Sequence, residues 1–163
     1  MSSLHTALIF PFRKGRLREE IEKDLKNSFK LDFGEAFYPI LKIRFKRSDG
    51  KWTEKLFTLI FDTGASVTLL PPEMAEYLGL TNFVEHEMTG VVRKEECKLP
   101  VNLSKVKIRL EDDNGNKSTE FDIWIAISKI GDTPFLLGMK GIIDRFNITL
   151  DPLKNELQLT IIK

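Results

Sequence analysis

Three apolar residues, Leu59-Ile60-Phe61, run straight into an aspartate, and Thr63-Gly64-Ala65-Ser66 follow it. A carboxylate beside an apolar strand is costly to bury unless something uses or pairs it. A glycine and small residues after it suit a tight loop where backbone comes close to another group. The stretch therefore predicts a buried strand that ends by presenting Asp62 on a cramped loop. Asp, Thr and Gly are also ordinary turn residues, so the tripeptide alone fits a strand that stops at a turn. The rest of the chain separates these readings.

The chain has 163 residues, which suits one domain with a real core. A chain of about 150 residues hides about two-thirds of its unfolded surface. Apolar residues at 42% and charged residues at 30% place it among soluble globular proteins. A net charge of +1 makes no large field, so neither a nucleic-acid nor a membrane partner is expected. Cys97 is the single cysteine, which excludes an internal disulfide. The first residues lack a basic start followed by an apolar run, so no leader is expected and the expected compartment is the cytoplasm. No stretch reaches the ~20 apolar residues of a membrane span.

Residues 13 to 30 are dense in charge, and Leu17, Ile21, Leu25 and Phe29 recur every four residues. That spacing predicts an amphipathic helix, with Glu22 and Lys26 four apart in the favourable orientation. Residues 1–36 are read as an N-terminal extension carrying it: either a solvated helix docked by a thin apolar stripe, or a regulatory or dimer-supporting arm. From Phe37 onward the pattern turns to strands. Ile40 to Phe45 alternates, Ser48-Asp49-Gly50 marks a turn, and Trp52 to Phe61 is β-rich, which together predict a hairpin that delivers Asp62. Val67 to Leu70 leaves the loop as another strand. Pro71-Pro72 opens a short helix over Glu73 to Leu78, and Gly79 closes it. Two strands, Val106 to Glu111 and Glu120 to Ile127, flank the turn Asp112-Asp113-Asn114-Gly115-Asn116. Ile142 to Phe146 has room for one or two helical turns, and Asn147 to Leu150 and Glu156 to Ile162 are the final strands. Leu157 to Ile162 reads as an apolar edge strand, and such an edge invites pairing with a second chain; the alternative is that the segment closes its own domain.

Asp62-Thr63-Gly64-Ala65-Ser66 resembles the active-site loop of aspartic proteases. Much later, Phe135-Leu136-Leu137-Gly138 resembles that family's second signature, two apolar residues and a glycine. Gly141 to Asp151 is similar to the short helix and strand that close the retropepsin-like fold, and Leu78-Gly79-Leu80 matches the end of the family's short helix. These elements fall in the family's order over roughly residues 37 to 162. The resemblance implies a mainly β, retropepsin-like acid-protease fold, a closed β-barrel-like domain with short helices over residues 37–163, behind the N-terminal helical extension. It places a flap hairpin within Phe83 to Val101, with substrate-facing Met88, Thr89, Gly90 and Val91 near its tip. Only one glycine stands there, where family flaps are often richer in glycine.

The resemblance also implies the chemistry. Peptide hydrolysis of this kind uses two facing carboxylates that share one proton, with no covalent intermediate, metal or cofactor. The chain holds one Asp-Thr-Gly. Asp62 is thus the expected catalytic residue, and its mate comes from a second copy in a two-fold homodimer acting on a peptide or protein. By the same resemblance Thr63 braces the two loops across the axis, Gly64 lets the loop approach substrate, and Ala65 lines the cleft. Leu136, Leu137 and Gly138 pack beneath the loop. In retroviral members an arginine often follows that glycine; here Met139 stands there, followed by Lys140. The terminal strands of retropepsins interleave beneath the active site, a role that Leu157 to Ile162 would fill.

Other chemistries find less support. His5 and His86 have no partners at metal spacing, and Cys97 sits among charges with no adjacent histidine signature. The Asp112–Asn116 run lacks the glutamate that a twelve-residue calcium loop needs. Ser66 stands in no G-x-S-x-G elbow. The rival to an endopeptidase is a non-catalytic module of the same fold that dimerises and binds peptide without cutting.

Overall fold

The computed structural model describes residues 7–16, 23, 27, 35–89 and 98–162. Strand alternation does most of the building. In β4 (Ile40–Phe45) Leu41, Ile43 and Phe45 are buried, while Lys42 and Arg44 are half-exposed. In β5 (Phe57–Phe61) Phe57, Leu59 and Phe61 point into the core and Thr58 and Ile60 away from it. The two strands pair antiparallel with Leu41 opposite Leu59, so their buried faces coincide.

The expected hairpin is present, with a break. Gly50 turns at φ 81°, but the strand that should run from Trp52 is interrupted over residues 53–56. The buried Thr53 causes it. Its Oγ1 accepts from the Phe45 N–H (3.2 Å) and donates to the Lys55 carbonyl (3.0 Å), so the side chain competes with the ladder.

From β5 the pairings pass to β10 (Leu136–Leu137), β6 (Thr68–Leu70), β9 (Phe121–Ser128) and β8 (Lys98–Leu110). They return to β4 through Ile43↔Leu110, Arg44↔Arg109 and Phe45↔Ile108. The protein is mainly β, and this ring encloses the main core. The expected closed barrel is met unevenly. β8 and β9 are paired all the way from Val101↔Ser128 to Ile108↔Phe121, whereas β6 meets β10 at Leu136↔Leu69 alone. Helix α1 (Glu73–Leu78) buries Met74 and Leu78 and ends as expected. Gly79 adopts φ 67° and its N–H reaches the Glu76 carbonyl, while the Leu80 N–H reaches that of Ala75. Residues 141–145 are successive turns, not a helix, although two α-type bonds close there, from the Ile143 N–H to the Met139 carbonyl (3.1 Å) and from the Phe146 N–H to the Ile142 carbonyl (3.0 Å).

A second, three-stranded sheet corrects two expectations. Its order is β1 (Leu8–Pro11), β12 (Glu156–Ile161), β11 (Phe146–Asp151). β12 is therefore a middle strand, not a free edge: Leu159 pairs with Leu8 on one side and Ile148 on the other. Leu157 and Leu159 are buried in the protein's own core; Ile161 and Ile162 are exposed. The second correction is local. Arg13–Arg16, expected to begin the helix, forms β2 and pairs with β3 (Glu35–Tyr38). The helix expected beyond it lies outside the described residues, apart from Lys23 and Asn27, both of which are helical.

Two polar clusters tie these parts together. Asp112 accepts from the Ile9 N–H (3.2 Å) and from Asn114 and Asn116 of its own turn, which joins β1 to the β8–β9 connection. Glu111 takes Arg44 Nε (2.9 Å) and Nη2 (3.1 Å) as a fork, plus Arg109 Nε (2.6 Å), which locks β4 to β8.

Candidate functional site

β5 carries Asp62 at its C-terminal end. The Asp62 N–H donates to the Leu137 carbonyl (3.0 Å), so the parallel β5–β10 pairing reaches the aspartate itself. The side chain is then fixed by its own loop. Oδ1 accepts the Gly64 N–H at 2.8 Å, and the Ala65 N–H donates to the Asp62 carbonyl at 3.2 Å. This is an Asx turn, and it holds the carboxylate half-buried while Thr63, Gly64 and Ser66 are exposed and Ala65 is half-buried. A Cβ on Gly64 would come within 3.2 Å of Oδ1, so a larger residue would press on the carboxylate.

The stretch 135–140 buttresses the loop from beneath. The Met139 N–H donates to the Ala65 carbonyl (2.9 Å) and the Lys140 N–H to the Ser66 carbonyl (3.0 Å). The Gly138 N–H donates to Thr68 Oγ1 (3.1 Å), and Thr68 is fully buried. The Lys140 ammonium pairs with Asp144 (3.0 Å), and that bond holds the Asp144 carboxyl below its ordinary range. Thr68 is the functional-site residue that sequence reasoning missed. Its signal was a hydroxyl at the head of the apolar run Thr68-Leu69-Leu70, where burial demands a partner.

Leu136 and Leu137 part company although they are adjacent. Leu137 is buried in the main core. Leu136 joins a second apolar cluster around Leu69, Val101 and Ala126, against which Val67, Met88 and Leu99 also pack. This cluster reaches from the Asp62 loop to the stem of the β7–β8 hairpin, where β7 is Val84–Thr89 and extends the sheet beyond β8. Met88 and Thr89, expected near the flap tip, end β7 opposite Leu99 and Lys98. Gly90 and Val91 lie outside the described residues.

Among the described residues no three His, Cys, Asp or Glu side chains group to hold a metal, and no helix is long and apolar enough to cross a membrane. The loop offers one fixed, partly solvated carboxylate, which can take or hold a proton.

The family model for aspartyl proteases matches residues 49–140. No curated protein matches the chain. Among solved structures the chain is similar to a retropepsin-like aspartic protease from Rickettsia conorii, at 21% identity over 75% of this chain and 92% of that one, with a TM-score of 0.48. It is also similar to EIAV protease complexed with the inhibitor HBY-793, at 12% identity over 66% of this chain and 86% of that one, with a TM-score of 0.40. The family match spans more than half of the sequence and takes in both the Asp62 loop and the Leu136-Leu137-Gly138 buttress, and the chain therefore belongs to the aspartyl protease family.

Proposed function

We propose that this protein is a retropepsin-like aspartic endopeptidase that hydrolyses peptide bonds as a homodimer. One observation carries the reading: a single Asp-Thr-Gly loop per chain, with its carboxylate pinned by the Gly64 N–H at the end of β5. One such carboxylate cannot serve as base and acid at once. An isologous contact sets two Asp62 side chains face to face on a two-fold axis. Like charges that close do not both ionise easily, so the pair keeps one proton between them.

The chemistry follows from that shared proton. The ionised Asp62 takes a proton from a water held between the two carboxyls, and the water oxygen bonds to the scissile carbonyl carbon. The protonated Asp62 donates to the carbonyl oxygen, which gives a neutral gem-diol. The carboxyl that took the water's proton then protonates the amide nitrogen, the ionised one takes a proton from a gem-diol hydroxyl as the C–N bond breaks, and a carboxylic acid and an amine leave with one proton again shared by the pair. In this reading Thr63 braces the two loops, Gly64 gives substrate close access, Ala65 lines the cleft, Ser66 completes the active-site loop, and Met88, Thr89, Gly90 and Val91 belong to the hairpin that covers the peptide. Leu136, Leu137 and Gly138 support from beneath. Residues 37–163 make the protease domain, to which the 1–36 extension adds β1. The enzyme would act on cytoplasmic peptides or proteins.

The test is incubation with an unfolded protein at about pH 4–6, with and without a statine inhibitor of the shared-proton site. Statine-sensitive fragments are expected. A dimer that binds statine yet cuts nothing would instead make it a peptide-binding dimerisation module.

A further inference from the structure

Upstream of Asp62 one edge of β5 has no strand partner among the described residues. The parallel β5–β10 pairing starts at Leu136↔Ile60, and Pro134 has no N–H to carry it back toward Thr58. Beside this edge lies a cavity of about 410 Å³ lined in part by Thr58. Its apolar walls include Leu56, Ile60, Pro134 and Phe135, and among the described residues its charges are Arg13 and Lys55, with no carboxylate in the lining. Lys55 stands 5.3 Å over the Phe57 ring, and among the described residues no ion pair holds either Lys55 or Arg13. The neighbouring cavity across Phe57, about 600 Å³, shares Lys55 and has charges of both signs in its lining, Arg47 with Glu73 and Glu76. The unbalanced positive charge thus belongs to the cavity that reaches Ile60, two residues before Asp62 and about 7 Å along the strand.

We propose that this cavity is an acidic subsite of the substrate groove: it takes an aspartate or glutamate side chain of the bound peptide, a few residues from the bond cut at Asp62. The inference rests on the reading of Asp62 as the catalytic carboxylate. An extended peptide that passes Asp62 continues along the open edge of β5, where backbone pairing is available. The Arg13 guanidinium offers a carboxylate a two-point fork and Lys55 adds a point charge. The apolar walls accept apolar neighbours of the acidic residue, while Arg13 and Lys55, both exposed, leave the pairs open to screening by salt.

The test measures binding, so that it does not depend on turnover. The full chain carrying Asp62→Asn is titrated with fluorescent capped apolar peptides that differ only in carrying paired glutamates or paired glutamines, at the N-terminal end in one set and the C-terminal end in another. Anisotropy is read at low and at high salt. The glutamate form of one set should bind about fivefold tighter than its glutamine form, and salt should erase the difference. Arg13→Gln with Lys55→Gln should bring the ratio to one, and Arg13→Glu with Lys55→Glu should invert it; circular dichroism checks that each variant is folded. Equal affinities in both sets, or a preference that survives the charge reversal, would overturn the subsite. If Arg13 and Lys55 discriminate the peptides but the wild-type chain cuts nothing, the subsite stands and the peptidase reading falls.

Discussion

Gly138 lies so close to Val67 that a Cβ added to it would stand 2.6 Å from the Val67 carbonyl oxygen and 2.8 Å from the Thr68 nitrogen. Both obstacles are backbone, so neither can rotate away. This contact presses the 135–140 stretch against the strand leaving the Asp62 loop, and it explains why a glycine follows Leu136-Leu137. Gly138→Ala should lower stability by about 3 kcal/mol and shift the loop, read as an earlier urea midpoint with hydrolysis reduced further than the folded fraction accounts for.

Thr68→Val keeps the shape of a fully buried side chain but removes the acceptor of the Gly138 N–H. A buried donor left without a partner costs about 1–3 kcal/mol. The urea midpoint should fall accordingly, while Thr68→Ser, which keeps the oxygen, should recover part of the loss. Equal midpoints for the valine variant and the wild type would remove Thr68 from the buttress.

Asp62→Asn is close to isosteric, and its Oδ1 can still accept the Gly64 N–H. The fold should survive, with a urea midpoint near that of wild type, and hydrolysis of an unfolded protein should disappear, because an amide cannot take the proton from water. Residual cleavage that statine blocks in the purified variant would rule out Asp62 as the base.

Glu111 sets an acid limit on the fold. The hydrogen bond from Arg44 chiefly holds its carboxyl below the ordinary 4.5; burial pushes it up, and Arg109 adds to the lowering. A folded-state value below the unfolded one contributes stability that is present above about pH 4.5 and is lost as pH falls through the folded value. Glu111→Gln should therefore cost about 2 kcal/mol at pH 7 and much less near pH 3, flattening the acid limb of a stability profile measured by urea titration.

Burial of Leu159 at 1% exposure, with β12 paired on both sides, turns a C-terminal deletion into a test of the monomer's fold. Leu159→Ala should cost about 3 kcal/mol whatever the protein concentration. On the proposed mechanism the wild-type chain, by contrast, should lose specific activity on dilution through a dimer dissociation constant, because two Asp62 side chains would meet only in a homodimer. Sedimentation and rate measured over one dilution series read both, and a fully active monomer would defeat the shared-proton mechanism.

Local chemistry was legible in the residues. An apolar strand ending in Asp62-Thr63-Gly64 was bound to present a carboxylate on a tight turn. Gly50, Gly79 and Gly115, all at positive φ, mark a turn, a helix end and another turn, as their neighbours indicated. Those features are set within a few residues, by sterics and nearby hydrogen bonds. Alternation also showed that β4 is a half-buried strand. It could not show which strand lies alongside, because a period of two defines a face and not a neighbour. Only the tertiary structure decided that Leu8 pairs with Leu159, making β12 a middle strand where its apolar end suggested an edge. It likewise decided that Thr68 answers Gly138 from seventy positions away, and that Arg13 and Lys55 line one cavity with Ile60. Each depends on segments distant in the chain being brought together by the burial of a shared core, a constraint that no local window of sequence contains.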